Sequence, residues 1–185
     1  FPTVQLVNSG ILDPYDLILK LHTKKSPWRE EHADLDGSGA AWKDQFLSDL
    51  VGSREKVEEI LNAFAADPTL GLVTAADSIV GKDFWGGDQR IVEQLMLRIE
   101  MSIDPDELEF ASGSMYWTRA FVLQGLRAFN LTSADFDEEK GQVDATTAHA
   151  IERIVGIVTD EAGLRTVEAP RLAKLASEPG YDARG

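Results

Sequence analysis

The sequence contains no cysteine and comparatively few basic residues, and both deficits narrow the range of functions. Without cysteine, the chain forms no disulfide, offers no thiolate to a metal and has no cysteine nucleophile. Its 185 residues include 32 Asp and Glu against 18 Lys and Arg, which gives a net charge of -14. Nucleic acids and anionic membrane surfaces attract positively charged proteins, so we expect neither as a partner. An anionic ligand would have to be bound by a local basic patch.

Long apolar runs and common nucleotide-binding motifs are missing as well. No stretch approaches the 18 apolar residues of a transmembrane helix and no signal peptide is evident, so we expect no direct membrane insertion. The sequence contains neither G-x-G-x-x-G nor a P-loop, so neither a nicotinamide nor an ATP cofactor is expected. The H-E-x-x-H metal motif and the G-x-S-x-G serine motif are also absent.

The hydrophobic pattern alternates between strand-like and helix-like segments. The strand-like segments are 2–7, 15–22, 70–74, 109–117 and 164–167, and the helix-like segments are 41–51, 53–67, 88–99, 119–129 and 144–162. This alternation predicts an α/β fold, a three-layer sandwich with a mostly parallel sheet. We expect one domain over residues 1–167 and a polar C-terminal tail over 168–185. Because the chain begins at Phe1 and not at Met, we expect a fragment of a larger protein.

A basic segment closes the second predicted strand. Lys20, His22 and Lys24 occupy alternate positions and would share one side of the strand. Leu19 and Leu21 would face the core. In open α/β sheets, ligands bind at the carboxyl ends of the strands, so cations here would suit a phosphate or diphosphate. The alternative is a solvated strand end and loop. The residues predicted to bind a diphosphate are Lys20, His22, Lys24 and Lys25.

A second segment, residues 110–119, places small residues beside aromatic ones. Small residues let a ligand approach the backbone, and aromatic faces suit the apolar faces of sugar rings. Arg119 would complete a clamp for an anion or a hydroxyl group. The alternative is a core strand in which the aromatic rings only pack and Gly113 forms a bulge. The residues predicted to bind a sugar are Ser114, Tyr116, Trp117 and Arg119.

The third segment is acidic and leads into the last long helix. Glu139 or Asp144 would serve as the general base on a sugar hydroxyl, with His149 as a further catalytic residue. His149 and Glu152 stand three positions apart and would hydrogen-bond on one helix face. Two alternatives remain open: Asp144 as nothing more than the helix N-cap, and His149 as a partly buried structural histidine. The spacing of these acids is only weakly indicative of a metal site.

Three segments together resemble the rhamnan synthesis F family, whose members are bacterial proteins of cell-surface polysaccharide assembly regarded as glycosyltransferases. These segments are 15–26, 113–119, and 139–144 continuing into 148–153, and shorter matches lie at 50–53, 67–73 and 84–86. The resemblance covers roughly residues 15–155. It implies a GT-A-like fold of the nucleotide-diphosphosugar transferases and transfer of a sugar, often rhamnose, to a growing glycan or lipid-linked glycan. It also implies a location in the cytoplasm or at the inner face of the membrane.

The resemblance implies a role for each segment. The segment after Gly113 would border the acceptor, and the acidic segment from Glu139 to Asp144 would supply the base that deprotonates the acceptor hydroxyl. Related GT-A enzymes have an Asp-x-Asp pair at the position of the basic segment. That pair coordinates a metal ion bound to the donor diphosphate. Here cationic side chains would neutralise the leaving diphosphate directly, so no cofactor is assigned and a divalent metal is doubtful. Two other functions stay open: a non-catalytic domain that binds a glycan or organises a polysaccharide synthase, and a metal-dependent hydrolase built on the acidic segment.

Overall fold

The computed structural model describes residues 2–22, 39–138 and 145–175. The strands are β1 (Leu17–Lys20), β2 (Leu70–Thr74), β3 (Ile79–Gly81), β4 (Glu109–Ala111), β5 (Tyr116–Arg119) and β6 (Arg165–Glu168). The α-helices are α1 (Pro2–Asn8), α2 (Gly39–Val51), α3 (Arg54–Ala66), α4 (Gln89–Leu97), α5 (Ala120–Gln124), α6 (Thr147–Glu161) and α7 (Leu172–Leu175). Most helices and strands therefore lie where the hydrophobic pattern predicted them.

The central sheet has four strands in the order β1-β5-β2-β6. Strands β1, β2 and β6 run in one direction, and β5 runs against them between β1 and β2. The sheet is therefore mixed, and the prediction of a mostly parallel sheet is wrong. The alternation of helices and strands along the sequence does not reveal this reversal.

Each face of the sheet is covered by helices, which gives the predicted three layers. On one face, Ile18, Leu72 and Tyr116 belong to a hydrophobic cluster with α1, α4, α5 and α6. On the other face, Leu17 and Val73 belong to a second cluster, formed mainly with α2 and α3. Because neighbouring residues of a strand point to opposite faces, β1 and β2 contribute to both clusters.

Two of the predicted strands take a different form. Residues 2–7 form helix α1, because Val4 and Val7, three positions apart, are the residues that it buries. The predicted strand 109–117 is divided into β4 and β5, which belong to different sheets. Strand β4 pairs with β3, which lies between the predicted strand 70–74 and the predicted helix 88–99. A three-residue strand is too short to show a clear period in the sequence.

Residues 168–175 are part of the folded domain. Strand β6 ends at Glu168, and the chain continues through a 3-10 turn into α7, burying Ala169 and Leu172. The described part of the predicted tail, residues 168–175, therefore contributes two side chains to the second hydrophobic cluster. Within the three described ranges, no helix is both long enough and apolar enough to cross a membrane.

Helix α6 lies unusually close to strand β4 at Gly156. A Cβ atom built on Gly156 would stand 2.1 Å from the carbonyl oxygen of Glu109 and 2.7 Å from the Cβ of Phe110. Such short distances leave no space for a side chain. The contact fixes how closely the longest helix packs on the small β3–β4 sheet.

We predict that Gly156→Ala destabilises the protein by about 2 kcal/mol or more, because the added methyl group pushes α6 away from β4. Urea unfolding followed by circular dichroism measures the change. The sign of the change in unfolding free energy is informative, because a Gly→Ala substitution in an isolated helix stabilises that helix by about 1 kcal/mol through helix propensity. A gain in stability would show that α6 and β4 are not held in this contact.

Candidate functional site

Lys20 lies at the carboxyl end of β1 with its side chain turned toward the protein. Its ammonium group donates a hydrogen bond to the carbonyl oxygen of Ser114 at 2.7 Å and stands 5.4 Å from the centre of the Tyr116 ring. Burial lowers the pKa of Lys20 to about 8, although the nearby Glu152 carboxylate acts in the opposite direction. An ammonium group has three donors. One of these donors binds the Ser114 carbonyl. The positive charge of Lys20 therefore lies in a partly desolvated environment.

His22 binds the neighbouring carbonyl of the same turn. Its Nε2 is 2.7 Å from the carbonyl oxygen of Gly113. A carbonyl oxygen only accepts, so Nε2 carries the proton and donates. The other ring nitrogen, Nδ1, is buried and has no hydrogen-bond partner among the residues that the structure describes. Leu21, which was expected in the core, is 39% exposed.

The turn between β4 and β5 presents two successive carbonyls to these side chains. Gly113 has a φ of +85° and Ser114 a φ of +54°, so both adopt left-handed backbone conformations. Gly113 also rests against Trp42, where an added Cβ would meet the indole at 2.4 Å. Trp42 in turn packs edge-on against Phe46, which is buried. Helix α2 therefore packs against this turn through Trp42. Position 113 requires glycine for two reasons: its left-handed backbone conformation and the lack of space for a side chain.

The first turn of α6 reaches the same region. Its N-cap is Thr146, whose hydroxyl accepts from the backbone N–H of His149, so the expectation that Asp144 caps this helix is wrong. The Thr146 hydroxyl also lies 2.8 Å from Nδ1 of His149. Glu152 pairs with Arg153 at 3.0 Å and not with His149. The carboxylate of Glu152 is close enough to raise the pKa values of both Lys20 and Tyr116.

Tyr116 lies in the middle of this group, fully enclosed by the larger hydrophobic cluster. Burial raises the pKa of its hydroxyl well above the ordinary value, and the Glu152 charge adds to that effect. The phenol is therefore neutral at physiological pH. Its ring supplies the aromatic face on which the Lys20 ammonium stands.

Arg153 joins the elements around the site. Its guanidinium is 3.3 Å from the carboxylate of Asp88, which is completely buried at the start of α4. It also donates to the carbonyl oxygens of His149 at 3.1 Å and Phe84 at 2.9 Å. Its central carbon stands 4.5 Å from the centre of the Phe110 ring. Arg153 thereby fixes α6 to α4 and to the segment that contains Phe84, and it holds Glu152.

The structure brings four of the predicted site residues together and separates two others from them. The residues that meet at the carboxyl end of β1 are Lys20, His22, Ser114 and Tyr116. We refer to these four residues, together with Glu152, as the Lys20 cluster. His149 lies at the start of α6, where its ring contacts Thr146. The residues that lie elsewhere are Trp117 and Arg119. Lys24, Lys25, Glu139 and Asp144 lie outside the described residues, so their predicted roles remain predictions.

Trp117 and Arg119 are engaged on the other face of the sheet. The indole of Trp117 donates to the carbonyl oxygen of Leu50 at 3.0 Å, at the end of α2. Arg119 lies at the far end of β5 and donates to the backbone carbonyls of Leu70, Phe64 and Asp67. These bonds satisfy carbonyls at the end of α3. Both side chains stabilise the packing of helices against the sheet.

Sequence reasoning missed the importance of Glu152, Arg153 and Asp88. Arg153 occupies a buried position of α6 beside Ile154 and Val155, and a charged residue among apolar ones is a usable signal. Asp88 follows two glycines, and in the sequence it resembles an ordinary residue at the start of a helix. Its burial depends on the packing of α4 against α6, which the sequence does not display. In the part of the chain that the structure describes, no group of three or more His, Asp or Glu residues is arranged to hold a metal ion.

Comparisons with known proteins show relatives over nearly the whole chain. A family model described as rhamnan synthesis protein F matches residues 4–164. Two curated relatives, from strains B100 and ATCC 33913 of Xanthomonas campestris pv. campestris, are each described as "Uncharacterized protein WxcX" and are 34% identical over 179 residues. The matches cover 96% of this chain, which spans about a quarter (25%) of the length of these relatives. No solved structure matches the chain.

We predict that Arg153→Met destabilises the protein by about 3 kcal/mol or more, because it removes the cation that faces the buried Asp88 carboxylate. Arg54→Met is the matched control. Arg54 forms an ion pair with Glu58 but is 85% exposed, so its loss should change stability by about 0.5 kcal/mol or less. Urea unfolding of both variants tests the difference. Equal effects would show that Arg153 is not a structural centre.

The lowered pKa of Lys20 predicts a stability that depends on pH. Below pH 8 the ammonium is charged in the folded and unfolded states. Between about 8 and 10.5, the unfolded chain keeps a proton that the folded protein has lost, so stability rises with pH. Relative to Lys20→Met, the wild type should gain about 2 kcal/mol between pH 7 and pH 9.5. A difference that does not change with pH would mean that the ammonium is fully solvated.

Proposed function

The chain belongs to the rhamnan synthesis protein F family, and on that basis we propose that it is a glycosyltransferase-like domain. The family is involved in polysaccharide synthesis. We infer that the domain transfers a sugar, rhamnose in keeping with the family name, from a nucleotide-diphosphosugar to a cell-surface polysaccharide. Because the curated relatives are about four times as long, the remaining parts of such proteins would contribute to the complete activity.

The observation that carries this proposal is the placement of Lys20. An inward-facing ammonium at the carboxyl end of β1 lies where ligands bind in open α/β sheets. Among the described residues, Ser114 is the acceptor of one of its three donors, and the other two are available to a phosphate oxygen, which is a good acceptor. Its pKa of about 8 leaves it mostly charged at neutral pH. Partial burial strengthens its attraction to a diphosphate relative to an exposed lysine.

His22 complements Lys20 in this proposal. Nε2 is bound to the Gly113 carbonyl, and Nδ1 is the ring nitrogen that has no partner among the described residues. In the protonated imidazole Nδ1 donates to a phosphate oxygen, and in the neutral form it accepts from a hydroxyl group. The carbonyls of Gly113 and Ser114 thus hold the His22 and Lys20 side chains in place. Lys24 and Lys25 are proposed to add positive charge to the same diphosphate.

In the proposed reaction, a hydroxyl oxygen of the acceptor glycan attacks the anomeric carbon of the donor sugar. The bond from that carbon to the diphosphate breaks, and the diphosphate leaves with the electron pair. Lys20 and His22 stabilise the charge that develops on it. Glu139 or Asp144 takes the proton of the attacking hydroxyl, and His149, at the start of α6, is a further catalytic residue. The fold that fits this arrangement is GT-A-like.

A non-catalytic role is the second candidate, and one observation favours it. Lys20 and His22 already bind carbonyls of their own chain, so both side chains have a structural use without any ligand. In that case the domain would bind a glycan or organise a polysaccharide synthase. The two candidates differ in whether a nucleoside diphosphate binds at all.

The deciding experiment is a calorimetric titration of the chain with uridine, thymidine and guanosine diphosphates. We expect at least one to bind, and Lys20→Met to weaken that binding about tenfold or more. The wild-type affinity should fall as the pH rises above about 8, because the free protein then loses the Lys20 proton. Lys20→Met should lack this pH dependence.

Lys174→Met provides the matched control, since Lys174 is an exposed lysine on α7, which packs on the other face of the sheet. It should leave the affinity within about twofold, the effect expected of one exposed charge. If no nucleoside diphosphate binds, the transferase proposal is wrong and the non-catalytic role is favoured. If Lys20→Met and Lys174→Met are equally mild, the donor site is not at Lys20.

A further inference from the structure

A large groove lies at the end of the sheet opposite the Lys20 cluster. It has a volume of about 630 Å³. In the pairing of β1 with β5, Leu17 faces Arg119 at this end, whereas Lys20 faces Tyr116 at the other. The groove runs between the start of β1, α3 and α5. Its lining includes Tyr15, Asp16, Phe64, Arg119, Phe121 and Gln124. A volume of this size holds a ligand as large as a short oligosaccharide.

Two aromatic rings stand at the walls of this groove and are open to solvent. Tyr15 is 59% exposed and Phe121 is 49% exposed, and Leu61 adds a further exposed apolar surface. The backbone N–H of Ala120 donates to the carbonyl oxygen of Asp16 at 2.8 Å, which fastens the segment before β1 to the start of α5. This hydrogen bond therefore joins the two backbone segments that bear the Tyr15 and Phe121 rings. Exposed aromatic faces on a fixed frame suit stacking against the apolar faces of sugars.

The polar groups of the groove favour a neutral ligand with many hydroxyl groups. Three N–H groups of Arg119 already donate to backbone carbonyls, and Asp13 is paired with Arg127 at 2.5 Å. No side chain in the described part of the chain pairs with the carboxylate of Asp16, which accepts hydroxyl hydrogens and repels anions. The amide of Gln124 both donates and accepts. Phosphorylated ligands and the strongly acidic surface of a second copy are thus disfavoured here.

We propose that this Tyr15–Phe121 groove binds a neutral segment of the glycan chain. The inference rests on the proposed function and deepens it, because it places the acceptor glycan at a second position, distant from the Lys20 cluster. A site at the far end of the sheet would hold the chain several sugars away from the transferred residue. The domain would thereby retain a growing polysaccharide between transfer steps.

The test is a calorimetric titration of the 185-residue chain with rhamnose oligosaccharides of two to five units. We expect saturable binding by the wild type, and loss of about tenfold in affinity for both Phe121→Ala and Tyr15→Ala, the scale of a lost aromatic contact. Tyr15→Phe keeps the ring and should bind within about twofold of the wild type. Leu97→Ala removes an apolar side chain that is 68% exposed away from the groove, and it should bind normally. Oligomers of a uronic acid should bind more weakly, because Asp16 repels them.

The Lys20→Met variant tests the groove and the proposed function separately. That variant should lose nucleoside diphosphate binding and keep rhamnose oligosaccharide binding. If the oligosaccharide fails to bind, or if Lys20→Met abolishes its binding while Phe121→Ala does not, the groove is not a glycan site. Analytical ultracentrifugation supplies a third measurement: a dimer that Phe121→Ala dissociates would assign the groove to a second copy of the chain and overturn the proposal.

Discussion

The buried guanidinium of Arg153 is the interaction on which the arrangement of the site depends. It faces the enclosed carboxylate of Asp88 and binds carbonyls from α6 and from the segment before α4. A charge in such a position is tolerated only while its partners stay in place, because a buried ion left alone is costly. The same residue pairs with Glu152, whose charge acts on Lys20 and Tyr116. The packing of the helices and the electrostatics of the Lys20 cluster are therefore coupled.

The two ends of the central sheet differ in chemistry. At the carboxyl end of β1, Lys20 and His22 converge on adjacent carbonyls of one turn, and the Lys20 ammonium places a positive charge there in an acidic protein. At the opposite end, Arg119 is engaged with backbone carbonyls, and aromatic rings are exposed beside the carboxylate of Asp16. A charged diphosphate suits the first end and a neutral glycan the second. The two ligands that we propose, a nucleotide-sugar diphosphate and a glycan, would both take part in polysaccharide synthesis, the process in which this family is involved.

Much of the fold was predictable, and the errors have physical causes. Helix α3 has its capping serine, Ser53, and strand β2 its unbroken apolar run, so both are local properties of the sequence. The direction of β5 and the small β3–β4 sheet depend on which strands pair, and no local pattern records that choice. In the candidate site, Lys20, His22 and Tyr116 were predicted from residue type and strand position, and the structure places them near one another. Arg119 was misplaced because a guanidinium that binds anions and one that binds carbonyls look alike in sequence.

The family, the acidic balance, most helices and strands, and the residue types available for a site can all be read from the amino-acid sequence. These properties depend on residue identity and on periods of two or 3.6 residues along the chain. Three contacts follow from the folded arrangement alone: Lys20 faces inward onto Ser114 and Tyr116, Arg153 meets Asp88, and Tyr15 and Phe121 share a groove. Each of these contacts joins residues far apart in sequence. Packing decides which distant groups become neighbours, and with that their burial, pKa and possible ligands.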